Sequence, residues 1–328
     1  MNKENITLDH GGGGYKSWEI VKEIRKIIKD TGKWKNSEDD GAIFNLPKNS
    51  GNLVFTTDAF IVDPLFFPGG DIGKIAMCGT INDISVMGAK PIGVSLSIVM
   101  EEGFLRSDFV KILKSINKVS LLSGVPIVTG DTKVTEKGKI DKIEITTSGV
   151  GLCKKPILNG GIKNGDYIIA SGDLGEHAVA LLAKRFNYQT KIKSDCQPLN
   201  KVLLEAGSYL NACKDPTRGG LAANLVEMAE KSKVKIVLEE NTLPYKKETI
   251  AITELLGLDI FSLASEGRFV ASVSPKNIDK ALSILKKYDK NSKIIGRAEN
   301  GRGLFLKTRL KTLRPIEMPK GKLIPRIC

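Results

Sequence analysis

One thiol and a scatter of carboxylates carry the chemistry open to this sequence. Cys328 stands at the end of Lys322-Leu-Ile-Pro-Arg-Ile-Cys328, behind Met318-Pro319-Lys320-Gly321, a segment that suits neither helix nor strand. Extended, the ten peptide units from Met318 to Cys328 span about 30 Å. That reach carries a thiol into a distant pocket and back out. Asn82-Asp83 is a polar pair in an otherwise small, apolar helical run, readable as an internal cap or as a ligand for metal and phosphate. Gly130-Asp131-Thr132-Lys133 follows an expected strand, where a rigid base supports a carboxylate and an amine. Gly69-Gly-Asp-Ile-Gly73-Lys74-Ile75 is not a Walker A loop: it is one residue short, and Ile75 stands where a hydroxyl would hold Mg²⁺. The glycines Gly11 to Gly14 expose backbone N–H groups that could close over phosphate or serve as a linker.

These residues need elements to hold them. Trp18, Val21, Ile24 and Ile28 fall on one face of an expected helix. Asp39-Asp40-Gly41 reads as a turn, and 42–46 with 52–57 as a hairpin around Pro47-Lys-Asn-Ser-Gly51, the second strand ending at Asp58. A Pro/Gly loop at 66–71 leads to a helix over 72–87, stopped by Gly88 and Pro91. Strand 92–100, a helix capped by Ser107, a buried strand at 126–129 and a closing strand at 142–151 complete an α+β first half. A second half restarts after Lys154-Lys155-Pro156 and Asn159-Gly-Gly161. It has strands at 166–170, 235–239, 268–273, 293–298 and 303–306. Its helices are expected from 175 through 183, over 200–213, after Asp215-Pro-Thr-Arg-Gly-Gly220, and over 246–256 and 277–288. The expected division is an N-terminal domain 1–155, a C-terminal α+β domain 156–314 and a flexible tail 315–328.

Composition narrows the class. A chain of 328 residues, 41% hydrophobic and 27% charged, suits two globular domains of ordinary size. The start has no apolar run resembling a signal peptide, and no apolar stretch of about 18 residues could span a bilayer, so a cytoplasmic protein is expected. The net charge of +13 comes mainly from dispersed lysines, and only 6% of residues are aromatic, so nucleic acid is not the expected partner. No two of the five cysteines form C-x-x-C, and the histidines are His10 and His177, which speaks against structural zinc and for free thiols.

Several stretches together resemble a known family: Phe66-Phe-Pro-Gly-Gly-Asp-Ile-Gly-Lys74, Cys78-Gly-Thr-Ile-Asn-Asp83, Met87-Gly-Ala-Lys-Pro91, Glu101-Glu-Gly103, Val125-Pro-Ile-Val-Thr-Gly-Asp-Thr-Lys133, Lys214-Asp-Pro-Thr-Arg-Gly-Gly220 and Pro325-Arg-Ile-Cys328. The chain is similar to the HypE hydrogenase maturation proteins, of the aminoimidazole ribonucleotide synthetase and selenophosphate synthetase superfamily. The resemblance implies a two-domain ATP-binding α+β fold that dimerises through its first domain and binds ATP at that interface. It implies a carbamoyl group received on Cys328 from the carbamoyltransferase HypF. ATP-dependent dehydration would then give a thiocyanate, and the cyanide would pass to the iron of a [NiFe]-hydrogenase precursor on a HypC–HypD scaffold.

Residue by residue, the resemblance assigns Asp58, Asp83 and Asp131 to Mg²⁺ and ATP, with Asn82 beside them and Lys74 among the nucleotide contacts. Asp215 and Arg218 would hold outgoing phosphate or fix their turn. Glu266 and Lys133 would lie by the thiocarboxamide, Glu266 as base or positioner. The unbroken glycine run followed by Tyr15 departs from the family. Rivals are another ATP-dependent enzyme of the superfamily and a non-catalytic basic scaffold. Selenophosphate synthetase chemistry would need a reactive residue in the glycine segment, yet the first cysteine is Cys78.

Overall fold

The computed structural model describes residues 6–28, 32–47, 50–320, 324 and 326–328. Residues 1–5, 29–31, 48–49, 321–323 and 325 lie outside the described residues.

The first half comprises α1 (Tyr15–Ile27), β1 (Trp34–Lys35), β2 (Ala42–Asn45), β3 (Asn52–Phe60), a small hairpin of β4 (Phe66–Phe67) and β5 (Gly70–Asp71), α2 (Ile72–Val86), β6 (Lys90–Glu101), α3 (Arg106–Ser123), β7 (Ile127–Thr135) and β8 (Ile143–Cys153). Its six-stranded sheet runs β1-β2-β3-β8-β6-β7, antiparallel except for β6 with β7, which α3 joins as a crossover. Alternate residues of β8 from Ile143 to Gly151 are buried, in register with Thr56 and Phe60 of β3. That face lies under α2.

α2 is apolar around nearly its whole circumference, as a helix enclosed on all sides must be. Thirteen of its fifteen residues are buried. The two that are not fully buried are Lys74 in its first turn and Asp83 near its end. Asp71 caps it by accepting from the Lys74 N–H at 2.9 Å.

The second half holds β9 (Tyr167–Ala170), α4 (Glu176–Arg185), α5 (Asn200–Ala206), β10 (Leu210–Lys214), α6 (Gly220–Ser232), β11 (Lys235–Glu239), α7 (Lys247–Leu255), β12 (Val270–Val273), α8 (Ile278–Tyr288), β13 (Lys293–Glu299), β14 (Gly303–Lys307) and β15 (Leu313–Ile316). Its sheet runs β10-β12-β9-β13-β11-β14-β15. The largest core cluster crosses between the halves: residues 178–181 of α4, Leu263 and Ile327 pack with Ile75 and Ile81 of α2 and with Ile112 of α3.

Several expectations need correction. Residues 126–129 were to form a buried strand, but β7 is the sheet's edge and is exposed along nearly its whole length. The expected closing strand, β8, lies mid-sheet between β3 and β6. The helix expected over 200–213 stops at Ala206; Gly207 follows, and Leu210–Lys214 turns into a strand paired with β12. Helix α3 starts after Leu105 without a side-chain cap, so Ser107 does not cap it. β15 extends the second sheet to Ile316, past the boundary expected at 314.

Candidate active site

Alternation along β3 turns Asp58 towards α2, and α2 makes room by placing Gly79 there. A Cβ on Gly79 would stand 3.5 Å from Asp58 Oδ2 and 2.8 Å from the Phe60 ring. One helical turn further on, Asp83 reaches the same point, and the Thr56 hydroxyl donates to its Oδ2 at 2.9 Å. The second half supplies the opposite wall. The turn between β10 and α6 delivers Asp215 and Arg218, with Lys214 at its start, and the approach to β12 delivers Glu266. Cys328 completes the lining of a pocket of about 540 Å³, a size that suits a small-molecule ligand.

The pocket concentrates acid in a low-dielectric place. Burial pushes the Asp83 carboxyl well above the ordinary range, and repulsion from Asp58, Asp215 and Asp40 adds to the push. Asp58 is raised by burial and tempered by Arg218. Asp215 is pushed up to about 8 by burial and by Asp40, against the pull of Lys214. Glu266 is raised well above its ordinary range by burial first, then by nearby Cys196 and Asp215. The half-buried Cys328 thiol is held up by desolvation and by Glu266, against Arg218, so it rests neutral.

Asp40 Oδ2, Asp215 Oδ2 and Glu266 Oε1 are buried with no hydrogen-bond partner among the described residues. Orphaned carboxylate oxygens in an acidic pocket fit a cation arriving with its ligand. Among the described residues no three ligating side chains converge as a ready-made metal centre. That suits Mg²⁺, which takes one or two carboxylates and fills the rest of its shell with phosphate and water.

The expected residues separate into two sets. Asp58, Asp83, Asp215, Arg218, Glu266 and Cys328 share the pocket. Asp58 lies two residues before the end of β3, and Asp83 lies on α2. Asn82 does not face the pocket. Its amide donates to the carbonyls of Gln197 and Glu266, both at 3.1 Å, and accepts from the Leu199 N–H at 2.7 Å. It pins the backbone that carries Glu266, because a fully buried amide must spend its hydrogen bonds on what surrounds it. Lys74 is nine residues from Asp83 along α2, about 14 Å at 1.5 Å per residue, and lines a different cleft, its Nζ on the Gly69 carbonyl at 2.7 Å. Asp131 and Lys133 lie on exposed β7, 3.9 Å apart and outside the pocket. The single cluster expected for Asp58, Asp83 and Asp131 is therefore not formed within one chain.

The glycine run packs against protein. A Cβ on Gly13, at φ +82°, would lie 2.6 Å from Arg218 Cβ, and one on Gly219 would lie 2.4 Å from the Gly13 carbonyl oxygen. Arg218 Nη1 donates to the Gly11 carbonyl at 3.2 Å. The glycines permit this close approach, and the N–H groups of Gly12, Gly13 and Tyr15 are engaged by Asp9, Ser17 and Pro319.

Sequence reasoning missed three features. Asp39 and Asp40, read as a plain turn, pair with Lys231 and Lys214 across the two halves. Asp195 Oδ1 accepts from the Glu266 N–H at 2.8 Å. His177 and Arg185 hold the backbone leading to Cys328. Two acids directly before a strand were a usable signal for the first; nothing local marks the others.

The chain matches the family models of the AIR synthase related protein over residues 38–153 for the N-terminal domain and 163–309 for the C-terminal domain. It is 39% identical to the carbamoyl dehydratase HypE of Cupriavidus necator, over 98% of this chain and 95% of that protein. A solved HypE–HypF complex superposes with a TM-score of 0.86 at 37% identity, covering 92% of this chain and 99% of the other. A hydrogenase maturation protein HypE in complex with ATP gives 0.82 at 32% identity, covering 99% of this chain and all of the other.

Proposed function

The chain belongs to the HypE family of hydrogenase maturation proteins, and from that premise we propose what its pocket does. The protein is an ATP-dependent carbamoyl dehydratase that converts a carbamoyl group carried on Cys328 into a thiocyanate, the source of the cyanide ligands of [NiFe]-hydrogenase. The observation that carries this is the meeting of the Cys328 thiol with Glu266, Arg218 and the Asp58–Asp83 pair in one pocket. A basic scaffold gives no reason to bury so much acid around a thiol.

The bond changes follow from the residues. The carbonyl oxygen of the S-carbamoyl group attacks the γ-phosphorus of ATP, ADP departs, and an O-phosphorylated imidate forms as the first N–H proton passes to water. The second N–H proton goes to a base as phosphate leaves with its C–O bond, giving S–C≡N. Glu266 is that base; once ionised, a carboxylate with a raised pKa binds a proton strongly at working pH. Arg218 lines the same pocket as Cys328 and spreads the phosphate charge. Asp58 and Asp83 would hold Mg²⁺, which neutralises charge on the phosphates when bound.

Asp131 and Lys133 enter this reading through a second copy. β7 is an unprotected edge with Val128 and Val134 exposed, and such an edge invites pairing. A homodimer built there would present Lys133 to the partner's thiocarboxamide. HypF donates the carbamoyl group, HypC–HypD accepts the cyanide, and the work is cytoplasmic. Among the described residues no helix is long and apolar enough to cross a membrane. The test is the intact mass after incubation with HypF, carbamoyl phosphate and ATP. The chain should gain one carbamoyl group and then lose one water, and Cys328→Ala should do neither. Full carbamoylation of Cys328→Ala would overturn the reading.

A further inference from the structure

The segment leading to Cys328 is held by its backbone, and both side chains that hold it sit on one element. The Ile327 carbonyl lies 2.8 Å from His177 Nε2. A carbonyl can only accept, so Nε2 carries the proton, and Nδ1 accepts from the Ser194 hydroxyl at 2.8 Å. Ser194 Oγ in turn accepts from the Cys196 N–H at 3.1 Å. The preceding carbonyl, that of Arg326, accepts from Arg185 Nη2 at 3.0 Å and from the Asp63 N–H at 3.2 Å. His177 and Arg185 are eight residues apart on α4, so they share one face of that helix. Ile327 is buried, and the imidazole stands edge-on to the Phe67 ring at 5.3 Å. His177 is wholly buried, and burial pushes its pKa down to about 4, so at neutral pH both its nitrogens have suitable partners.

We infer that His177 and Arg185 form a latch on α4: positioning residues that read the backbone carbonyls of Ile327 and Arg326 and so fix Cys328 against Glu266. The backbone of Glu266 is held separately, by Asp195, whose carboxylate accepts from the Glu266 N–H at 2.8 Å. Release of the latch is the step that lets the thiol leave, because a thiol held against the pocket wall cannot enter another protein's active site. Recognition through carbonyls is indifferent to the group on sulfur, so the same latch takes the segment back when it is carbamoylated. Ile327 supplies the apolar fit. Arg326 pairs with Asp141 and adopts a left-handed backbone at φ +54°.

This inference rests on the dehydratase reading for its purpose but not for its test. The parent, His177→Phe and His177→Gln are treated with N-ethylmaleimide without ATP or transferase, and Cys328 alkylation is followed by peptide mass across pH. Phe keeps the ring and removes the donor; Gln keeps a donor at the reach of Nε2. Cys328 in His177→Phe should react at least about tenfold faster than the parent at pH 7, with its profile moved towards that of an ordinary cysteine. His177→Gln should stay near the parent. Parental rates in His177→Phe, or equal acceleration in both variants, would overturn the latch. Should His177→Phe also expose Cys78, Cys196 and Cys213, which mark an intact core, Arg185→Met is judged by the same two criteria. If the dehydratase reading fails instead, the parent never loses water in the mass assay, whatever the alkylation shows.

Discussion

Glu266 and Asn82 show how differently two buried polar residues work at one site. Glu266→Gln keeps size and hydrogen bonding but cannot take a proton; it should accumulate the thiocarboxamide and form thiocyanate on the order of 100-fold more slowly. The parent's dehydration rate should climb with pH beyond the ordinary carboxylate range, and the variant should lose that limb. Prompt thiocyanate formation by the variant, seen by peptide mass, would remove Glu266 from the chemistry. Asn82→Ala orphans two carbonyls and an N–H, so it should lower stability by about 2–4 kcal/mol, whereas Asp83→Asn should keep the fold and weaken Mg²⁺-dependent ATP binding at least about tenfold by calorimetry. Asp215 allows a sign to be fixed. Its folded pKa, about 8, lies above the unfolded value near 4, so the folded form holds its proton more tightly. That contribution is full below pH 4 and is lost as pH rises through 8. Asp215→Asn should therefore flatten the fall in stability between pH 5 and pH 8 by at least about 1 kcal/mol, measured by denaturant melts; equal slopes would show that the acid cluster is relaxed. Asp83, Asp215, Arg218 and Cys328 were legible in the sequence because each stands in a compact, recognisable stretch, whereas Asp58 and Glu266 stand outside those stretches and were named through the wider family resemblance. Asn82 and Lys74 stand in stretches of the same kind, yet motif membership says nothing about which side of a helix a residue faces.

At the scale of elements, periodicity found α1, α2, α6 and α8 and most strands, since each has a repeating apolar side or clear stops. It failed where neighbours decide. Residues 210–214 follow a helix without a proline and read as its continuation, yet β12 takes them as a strand. Residues 126–129 are apolar enough for a core, yet they sit on an open edge. The glycine run was noticed for its N–H groups and is needed for its missing side chains. Gly13→Ala would add strain at φ +82° and drive a methyl group into the Arg218 backbone. It should displace the 217–219 turn and lower ATP affinity at least about tenfold, while Gly11→Ala, with nothing within 4 Å of its Cβ, should bind as the parent does.

Across the whole molecule, the pocket belongs to neither half, since Asp58 and Asp83 come from the first and Glu266 and Arg218 from the second. The further expectation, that Lys133 acts from a second copy, is tested by mixing. Lys133→Ala and Cys328→Ala should each be inactive alone. After subunit exchange, heterodimers with one intact site should restore about a quarter of parental activity; no recovery in demonstrably mixed dimers would confine Lys133 to its own chain. α2 threads through all of this with almost no water-facing residue, and its two charged members each open onto a different cleft. Over evolutionary time such a helix leaves mutation nowhere to experiment. Lineages of this protein should drift freely along α1, α8 and the lysine-bearing surface while 72–86 stays almost still, so a comparison of distant members would find the chemistry's oldest record inside the protein.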